Sequence, residues 1–219
     1  AKSGGFSYAA NFYYMGYNDQ LILTGQINDV GAYIRENVAA SYRAGIELEG
    51  AYAISKTWTL GGNLALSQNK IREFTEYIDD YSVDEFRQET NTYTNTDIAF
   101  SPNVVGSAII EYKPAKNLSV NWLSKYVGRQ FLDNTANEAR SLDAFFTNDL
   151  RISYAATPRF FKGLEVNLLI NNIFNELYEP NGYTFSYFVP GGFGRELVTE
   201  NFYYPQAGTN FLLGVKMKF

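Results

Sequence analysis

FLLGVKMKF, residues Phe211 to Phe219, places Phe211, Leu213, Val215, Met217 and Phe219 on one face of a strand and Leu212, Gly214, Lys216 and Lys218 on the other. The period of two is that of an extended chain. Two arrangements satisfy it. Against a protein core, the apolar stripe is inside and the lysines meet water. Turned round, the lysines face a wet interior and the stripe faces something oily.

The same alternation recurs upstream, near residues 6–24, 41–54, 57–72, 103–113, 118–132, 144–156 and 164–177, with the opening stretch completing 203–219. That makes eight strands, an even number. In the clearest, Ile46, Leu48, Tyr52 and Ile54, or Leu118, Val120, Trp122 and Tyr126, share a face, as do Leu150, Ile152 and Tyr154, and Leu164, Val166, Leu168 and Ile170. Their opposite faces carry Glu47 and Glu49; Asn121, Lys125 and Arg129; Asp149 and Arg151; Glu165, Asn167 and Asn171. Burying those charges unpaired would cost several kcal/mol per ion, so the polar face is wet. In the first run the faces shift near Asn18-Asp19, where a bulge is expected.

The connections decide which way the stripe points. Ser55-Lys56, Pro114 to Asn117 and Thr157 to Gly163 are short links, and they alternate strictly with long ones. Short turns at one end and long loops at the other are the asymmetry of outer-membrane barrels, and they put both termini on the periplasmic side. The runs span about 11 to 19 residues, enough to cross a bilayer at a tilt and longer than ordinary soluble strands. The expected fold is therefore all-β: an antiparallel transmembrane β-barrel in the bacterial outer membrane, with a soluble sandwich as the weaker alternative.

Composition agrees. Hydrophobic residues make up 46% of the 219, yet mean hydropathy is only −0.25, and no stretch is long and apolar enough for a membrane helix. The 18 Tyr and 17 Phe suit aromatic belts at two membrane interfaces. There is no Cys and no His, which removes disulfides, thiolate and imidazole metal sites, and the nucleophile pairs of most hydrolases, so no enzyme is expected. A net charge of −5 opposes a nucleic-acid partner. No linker divides the chain, which reads as one domain, and no secretory leader precedes Phe6, as expected of a mature chain or a fragment.

Four strings resemble a known family: NNIFNELYEPNGYT (Asn171 to Thr184), SKYVGRQFLDNT (Ser124 to Thr135), NDVGAYIRENVAASYRAGIELE (Asn28 to Glu49) and YYPQAGTNFLLGVKMKF (Tyr203 to Phe219). They look like the C-terminal part of the barrel of TonB-dependent outer-membrane receptors, over nearly the whole chain. The resemblance implies active uptake of a scarce nutrient, usually a metal chelate or cobalamin, through a larger barrel that holds a plug and is worked by the TonB energy complex. Residues 1–219 would then be about the last third of such a barrel, without its plug and unable to transport alone. The terminal strand also resembles the signal read by the barrel assembly machinery, with Gly214, Met217 and Phe219; Leu212 departs from it. Ferric siderophores are the favoured substrate and cobalamin the second; haem and glycans are less favoured, and no cofactor is implied. A stand-alone structural barrel of eight strands is the alternative.

Within that frame, Tyr183, Phe185, Tyr187, Phe188, Phe193 and Arg195, in the loop from Glu179 to Phe202, are candidates to hold an anionic chelate through apolar contact and charge. The plainer reading is a loop packed on its own rings. Arg43 and Arg129, near outer strand ends, are further candidates. The acid-rich loop from Glu73 to Asp97 lacks the spacing of a calcium loop and reads as a solvated surface. Glu47, Glu49, Lys125, Arg129, Asp149, Arg151, Glu165, Lys216 and Lys218 read as lumen-side charges that pair across the wall or against a plug.

Overall fold

A computed structural model describes residues 2–3, 5–85, 87–160, 162–192 and 194–219. Among these residues there are fourteen strands and no helix: β1 (Lys2–Ser3), β2 (Phe6–Ile27), β3 (Tyr33–Ala53), β4 (Trp58–Asp80), β5 (Arg87–Asp97), β6 (Val104–Ala115), β7 (Leu118–Val127), β8 (Gln130–Phe131), β9 (Ser141–Leu142), β10 (Phe145–Ala156), β11 (Gly163–Asn171), β12 (Asn181–Gly191), β13 (Gly194–Tyr204) and β14 (Asn210–Lys218). Eight form a continuous antiparallel wall in the order β2-β3-β4-β6-β7-β10-β11-β14, one for each alternating run. β14 pairs with β11 alone, and beyond β2 lies only the two-residue β1, so the wall is open rather than closed into an eight-stranded barrel.

Register keeps the two faces apart. Leu164↔Met217, Val166↔Val215, Leu168↔Leu213 and Ile170↔Phe211 share one face of β11 and β14, with Glu165↔Lys216 and Asn167↔Gly214 on the other. Because directly opposed residues project to the same side, the apolar face passes from Ile170 to Leu150, to Trp122, to Ile110, to Leu60, to Tyr52 and to Phe6 without a break. Its side chains are open: Phe211 is 77% exposed, Leu213 61% and Val215 54%. Aromatic rings border it at both ends. At the short-turn end Trp58 stacks on Tyr112 at 4.3 Å and Phe6 on Tyr8 at 5.5 Å; toward the other end Tyr14 stacks on Tyr42 at 5.9 Å.

The long connections contain more strand than the sequence pattern predicts. Residues 25–40, expected as loop, continue the β2–β3 ladder to a turn at Asn28–Ala32, where the Asn28 carboxamide accepts the Val30 and Ala32 N–H groups and Gly31 takes φ +81°. The acid-rich stretch is not a solvated loop but the β4–β5 hairpin, in register from Lys70↔Asp97 to Asp80↔Arg87. The stretch from Glu179 to Phe202 is largely the β12–β13 hairpin. Both faces of β5 are largely polar, Thr90, Thr92 and Thr94 against Glu89, Asn91 and Tyr93, so its period carries little apolar contrast. The last wall strand begins at Asn210; Tyr203 and Tyr204 belong to β13. β7 stops at Val127 and β11 at Asn171, both short of their expected ends.

At the expected bulge Asp19 takes φ +50°, yet Asn18↔Ala40 and Gln20↔Val38 keep one register; the slip lies between Leu23 and Ile27. Gly25, in that slip, has φ +95°, and a Cβ there would stand 2.6 Å from the Leu132 carbonyl oxygen. Only glycine suits both the backbone and the close approach.

The apolar core sits at the long-loop end. Ile22, Val38, Ile71, Phe74 and Ile98 form a buried cluster with Tyr93 packed on it, and Leu132, Leu142 and Ile78 are buried nearby.

Candidate functional site

The loop end is built around residues 128–142, which lie against the upper part of β2 and β4. Asn134 is fully buried: its Nδ2 donates to the Leu23 carbonyl and its Oδ1 accepts the Ala99 N–H at 2.8 Å. Asp133 turns the chain by accepting the Thr135 N–H at 3.0 Å and hydroxyl at 2.7 Å. This places Arg140, 5% exposed, beside Glu76 of β4 and Asp133, with Nη1 donating to both carboxylates and Nη2 to the Ser186 hydroxyl of β12 at 2.7 Å. Burial opposes its charge, but hydrogen bonds and attraction from Asp133 and then Glu76 raise its pKa above the usual arginine value. Tyr93 of β5 donates to Glu76 at 2.9 Å, and burial followed by that bond pushes its pKa up to about 12.

Sequence pattern missed this cluster. Glu76 stood among acids expected in solvent, and Arg140 lies in a segment without periodicity. The one local signal was the Asp133-Asn134-Thr135 string, a turn signature that happened to fall within the family-like motif.

Arg195, a candidate for ligand contact, has its charge already engaged. Its Nη1 meets Asp80 at 2.9 Å and Glu89 at 2.5 Å, and its guanidinium lies 4.1 Å from the centre of the Phe188 ring. With Tyr187↔Asp79 and Phe188↔Asp80 paired in parallel, it clasps the β12–β13 hairpin to the β4–β5 hairpin. The Tyr187 hydroxyl donates to Glu200 at 2.5 Å. Tyr183, Phe185 and Tyr187 alternate along one face of β12 as a near-parallel ladder. Phe202 lies 4.7 Å from Tyr183 and 5.8 Å from Phe185, ring centre to ring centre. The opposite face carries Thr184 and Ser186, both buried. The hairpin thus packs partly on its own rings and partly on the arginine cluster. Phe193 lies outside the described residues.

Arg43 is elsewhere, on the polar face of β3, donating to Asn69 at 3.1 Å and Ser101 at 3.2 Å. Arg129 falls past the end of β7 rather than on the wall; it pairs with Glu138 at 3.0 Å and stands 5.3 Å from the centre of Phe131. The seven candidates among the described residues therefore do not converge on one point. On the wall's polar face Lys216 reaches Glu165 at 3.6 Å and Asn11 donates to Glu47 at 3.1 Å.

The Asn171-Asn172-Ile173-Phe174-Asn175 string is a turn that ties β11 to β14. Asn172 (φ +49°) donates from Nδ2 to the Glu176 carbonyl and accepts the Glu176 N–H, while the Asn175 carboxamide accepts the Thr209 N–H at 3.0 Å. Asn tolerates the left-handed conformation and can hydrogen-bond its own turn, which explains this residue type at both positions. Among the described residues no group of acidic side chains is arranged to hold a metal ion.

Comparison with known proteins places this geometry. A family model described as TonB dependent receptor-like, beta-barrel matches residues 2–173. No curated protein sequence gives a significant match. Among solved structures, the chain is similar to the ferric yersiniabactin uptake receptor FyuA from Yersinia pestis, with a TM-score of 0.65 and 14% identity over 100% of this chain and 28% of that one. It is also similar to the siderophore receptor PiuA from Acinetobacter baumannii, with a TM-score of 0.61 and 15% identity over 96% of this chain and 26% of that one. The FrpB iron transporter from Neisseria meningitidis gives 0.56 and 18% over 98% and 29%. At these identities the likeness is one of fold. The chain spans between a quarter and a third of each of these proteins.

Proposed function

Because the chain belongs to the family of TonB-dependent receptor β-barrels, we propose that it forms eight neighbouring wall strands and part of the outer mouth of a receptor for active uptake of a scarce nutrient. A ferric siderophore or a similar metal chelate is the proposed substrate, with TonB supplying the energy through a plug that these residues do not include. The observation that carries the reading is the unbroken apolar face from Phe6 to Phe211, backed by a polar one. A face of that extent is unfavourable in water and suited to hydrocarbon. Phe211, Leu213, Val215, Met217 and Phe219 then meet lipid, and Gly214, Met217 and Phe219 serve the barrel assembly machinery.

In this arrangement the short turns and both termini lie in the periplasm, and the hairpins stand outside. Tyr183, Phe185, Tyr187 and Phe188 offer rings to a chelate entering the mouth, while Arg43 and Arg129 supply positive charge. Arg195 contributes by fixing the hairpin that carries those rings. The open wall favours closure with further strands over a stand-alone barrel.

The test is growth of a strain lacking the intact gene on single iron sources, ferric siderophores of different chemistry, and on cobalamin. Loss of growth on one ferric siderophore, restored by the gene, supports the proposal. Unchanged uptake of every iron source would overturn the substrate class.

A further inference from the structure

Charge is sorted by end. The three short turns lie side by side along the wall, between β3 and β4, β6 and β7, and β10 and β11. Residues 54–57, 113–117 and 157–163 carry Lys56, Lys113, Lys116, Arg159 and Lys162 and no acid. At the opposite end the balance reverses, with eight acids between Glu73 and Asp97 against the single base Arg87.

Each turn holds its charges outward. Ser55 Oγ accepts the Thr57 and Trp58 N–H groups, each at 3.1 Å, which leaves Lys56 at the tip. The ladder between β6 and β7 closes at Ala115↔Leu118 around Lys116 and Asn117. That between β10 and β11 closes at Ala156↔Leu164, and the Lys162 N–H donates to the Lys218 carbonyl at 2.8 Å, steadying the base of the turn that carries Arg159. All five basic residues are exposed. Lys113 meets Glu111 at 2.8 Å, whereas the side chains of the other four have no ion pair or hydrogen bond among the described residues.

These four charges border the apolar face. The stacked Trp58 and Tyr112 mark where that face ends, and Lys56, two residues from Trp58, stands no more than about 7 Å beyond it. Physiological salt screens charges only over about 8 Å, so phosphates at the level of those rings are felt by the turn. Phe160, 86% exposed, adds a ring beside Arg159, and a ring next to a cation suits the boundary between hydrocarbon and headgroups. The surface is thus continuous with the lipid face, open, and positive without a counter-charge of its own.

We propose that the short-turn end of the wall is a docking surface for anionic phospholipid headgroups, which it selects over zwitterionic ones. The proposal rests on the transmembrane reading of the wall and is independent of the nutrient imported. The intact receptor, purified in octyl tetraethylene glycol ether, is mixed with equal amounts of phosphatidylglycerol and phosphatidylcholine, and the lipids it retains are counted by native mass spectrometry. Phosphatidylglycerol should be retained in preference, and less so as sodium chloride is raised. Each of Lys56→Gln, Lys116→Gln, Arg159→Gln and Lys162→Gln should cut the preference about two- to fivefold, and the four together should remove most of it. Arg35→Gln and Arg72→Gln, exposed at the opposite end, should leave it intact. Equal retention of the two lipids, a preference that the fourfold variant keeps, or one that the Arg35 and Arg72 changes remove as well, would overturn the proposal. Peptidoglycan sacculi that sediment the receptor through the same four charges, with no lipid preference, would assign the surface to the cell-wall polymer and overturn it too. Heat-shifted electrophoretic mobility of each variant tests the lipid face by itself, so a receptor that shows the shift but no preference counts against this surface alone.

Discussion

Arg140 is the residue on which the loop end turns. Two carboxylates and a hydroxyl from three separate segments converge on it. Arg140→Met should destabilise the loop assembly by about 3–5 kcal/mol, because Glu76 and Asp133 would remain buried without a counter-charge; thermal unfolding of the intact receptor measures the loss. Tyr93, bonded to the same Glu76, is held neutral well past the ordinary tyrosine value of 10.0, up to about 12. Its folded pKa is raised, so its contribution is complete below pH of about 10 and disappears as pH climbs toward about 12. Ultraviolet titration should show a late tyrosine that Tyr93→Phe removes. On the wall, Val215→Arg places a charge on the proposed lipid face at a cost of about 2–4 kcal/mol, whereas Lys216→Arg on the polar face should be mild. Equal folded yields of the two, by heat-shifted electrophoretic mobility, would reverse the assignment of faces. None of the Arg140 contacts was legible beforehand, since they join positions 76, 133 and 186, which only the packed chain brings together.

At the level of elements, alternation was readable wherever its two faces differed in polarity. β11 and β14 announce themselves through Leu164, Val166, Phe211 and Val215 against Glu165 and Lys216. β5 alternates just as regularly, but threonine on one side and Glu89, Asn91 and Tyr93 on the other leave little to contrast, and the upper part of β4 mixes the two kinds on both faces, Phe74, Glu76, Ile78 and Asp80 on one and Ile71, Glu73, Tyr77 and Asp79 on the other. The β12–β13 hairpin was hidden differently: Tyr183, Phe185 and Tyr187 looked like a ligand's rings when in part they stack on Phe202 across the hairpin. Arg195 holds that hairpin in place, so Arg195→Ala should free it from Asp80 and Glu89 while the wall stays folded. Hydrogen exchange should accelerate across residues 181–191 and 194–204 and stay unchanged in β10 and β11. Acceleration throughout the chain would mean that the clasp supports the wall as well.

Across the whole molecule, the order of wall strands and the end at which loops gather follow from link lengths, which is why the fold class was readable early, while the family was readable only through the resemblance of its motif strings. The location of the core was not. A membrane wall needs no buried interior of its own, and among the described residues the buried apolar side chains gather at the loop end. In the proposed orientation, limited proteolysis of whole cells should therefore nick the turn at Val30, which is 86% exposed, and the turn after Tyr81 before it touches residues 130–142. Early cuts within 130–142 would contradict that packing. The concentration of core at this end has a consequence for antibodies and phages. If this end faces the exterior, the part of the receptor that they meet is also the part least free to change. Substitutions that would hide it from recognition there carry the penalty of disturbing Ile71, Phe74 or Leu132, which leaves escape by point change to the few turn tips that pack against nothing.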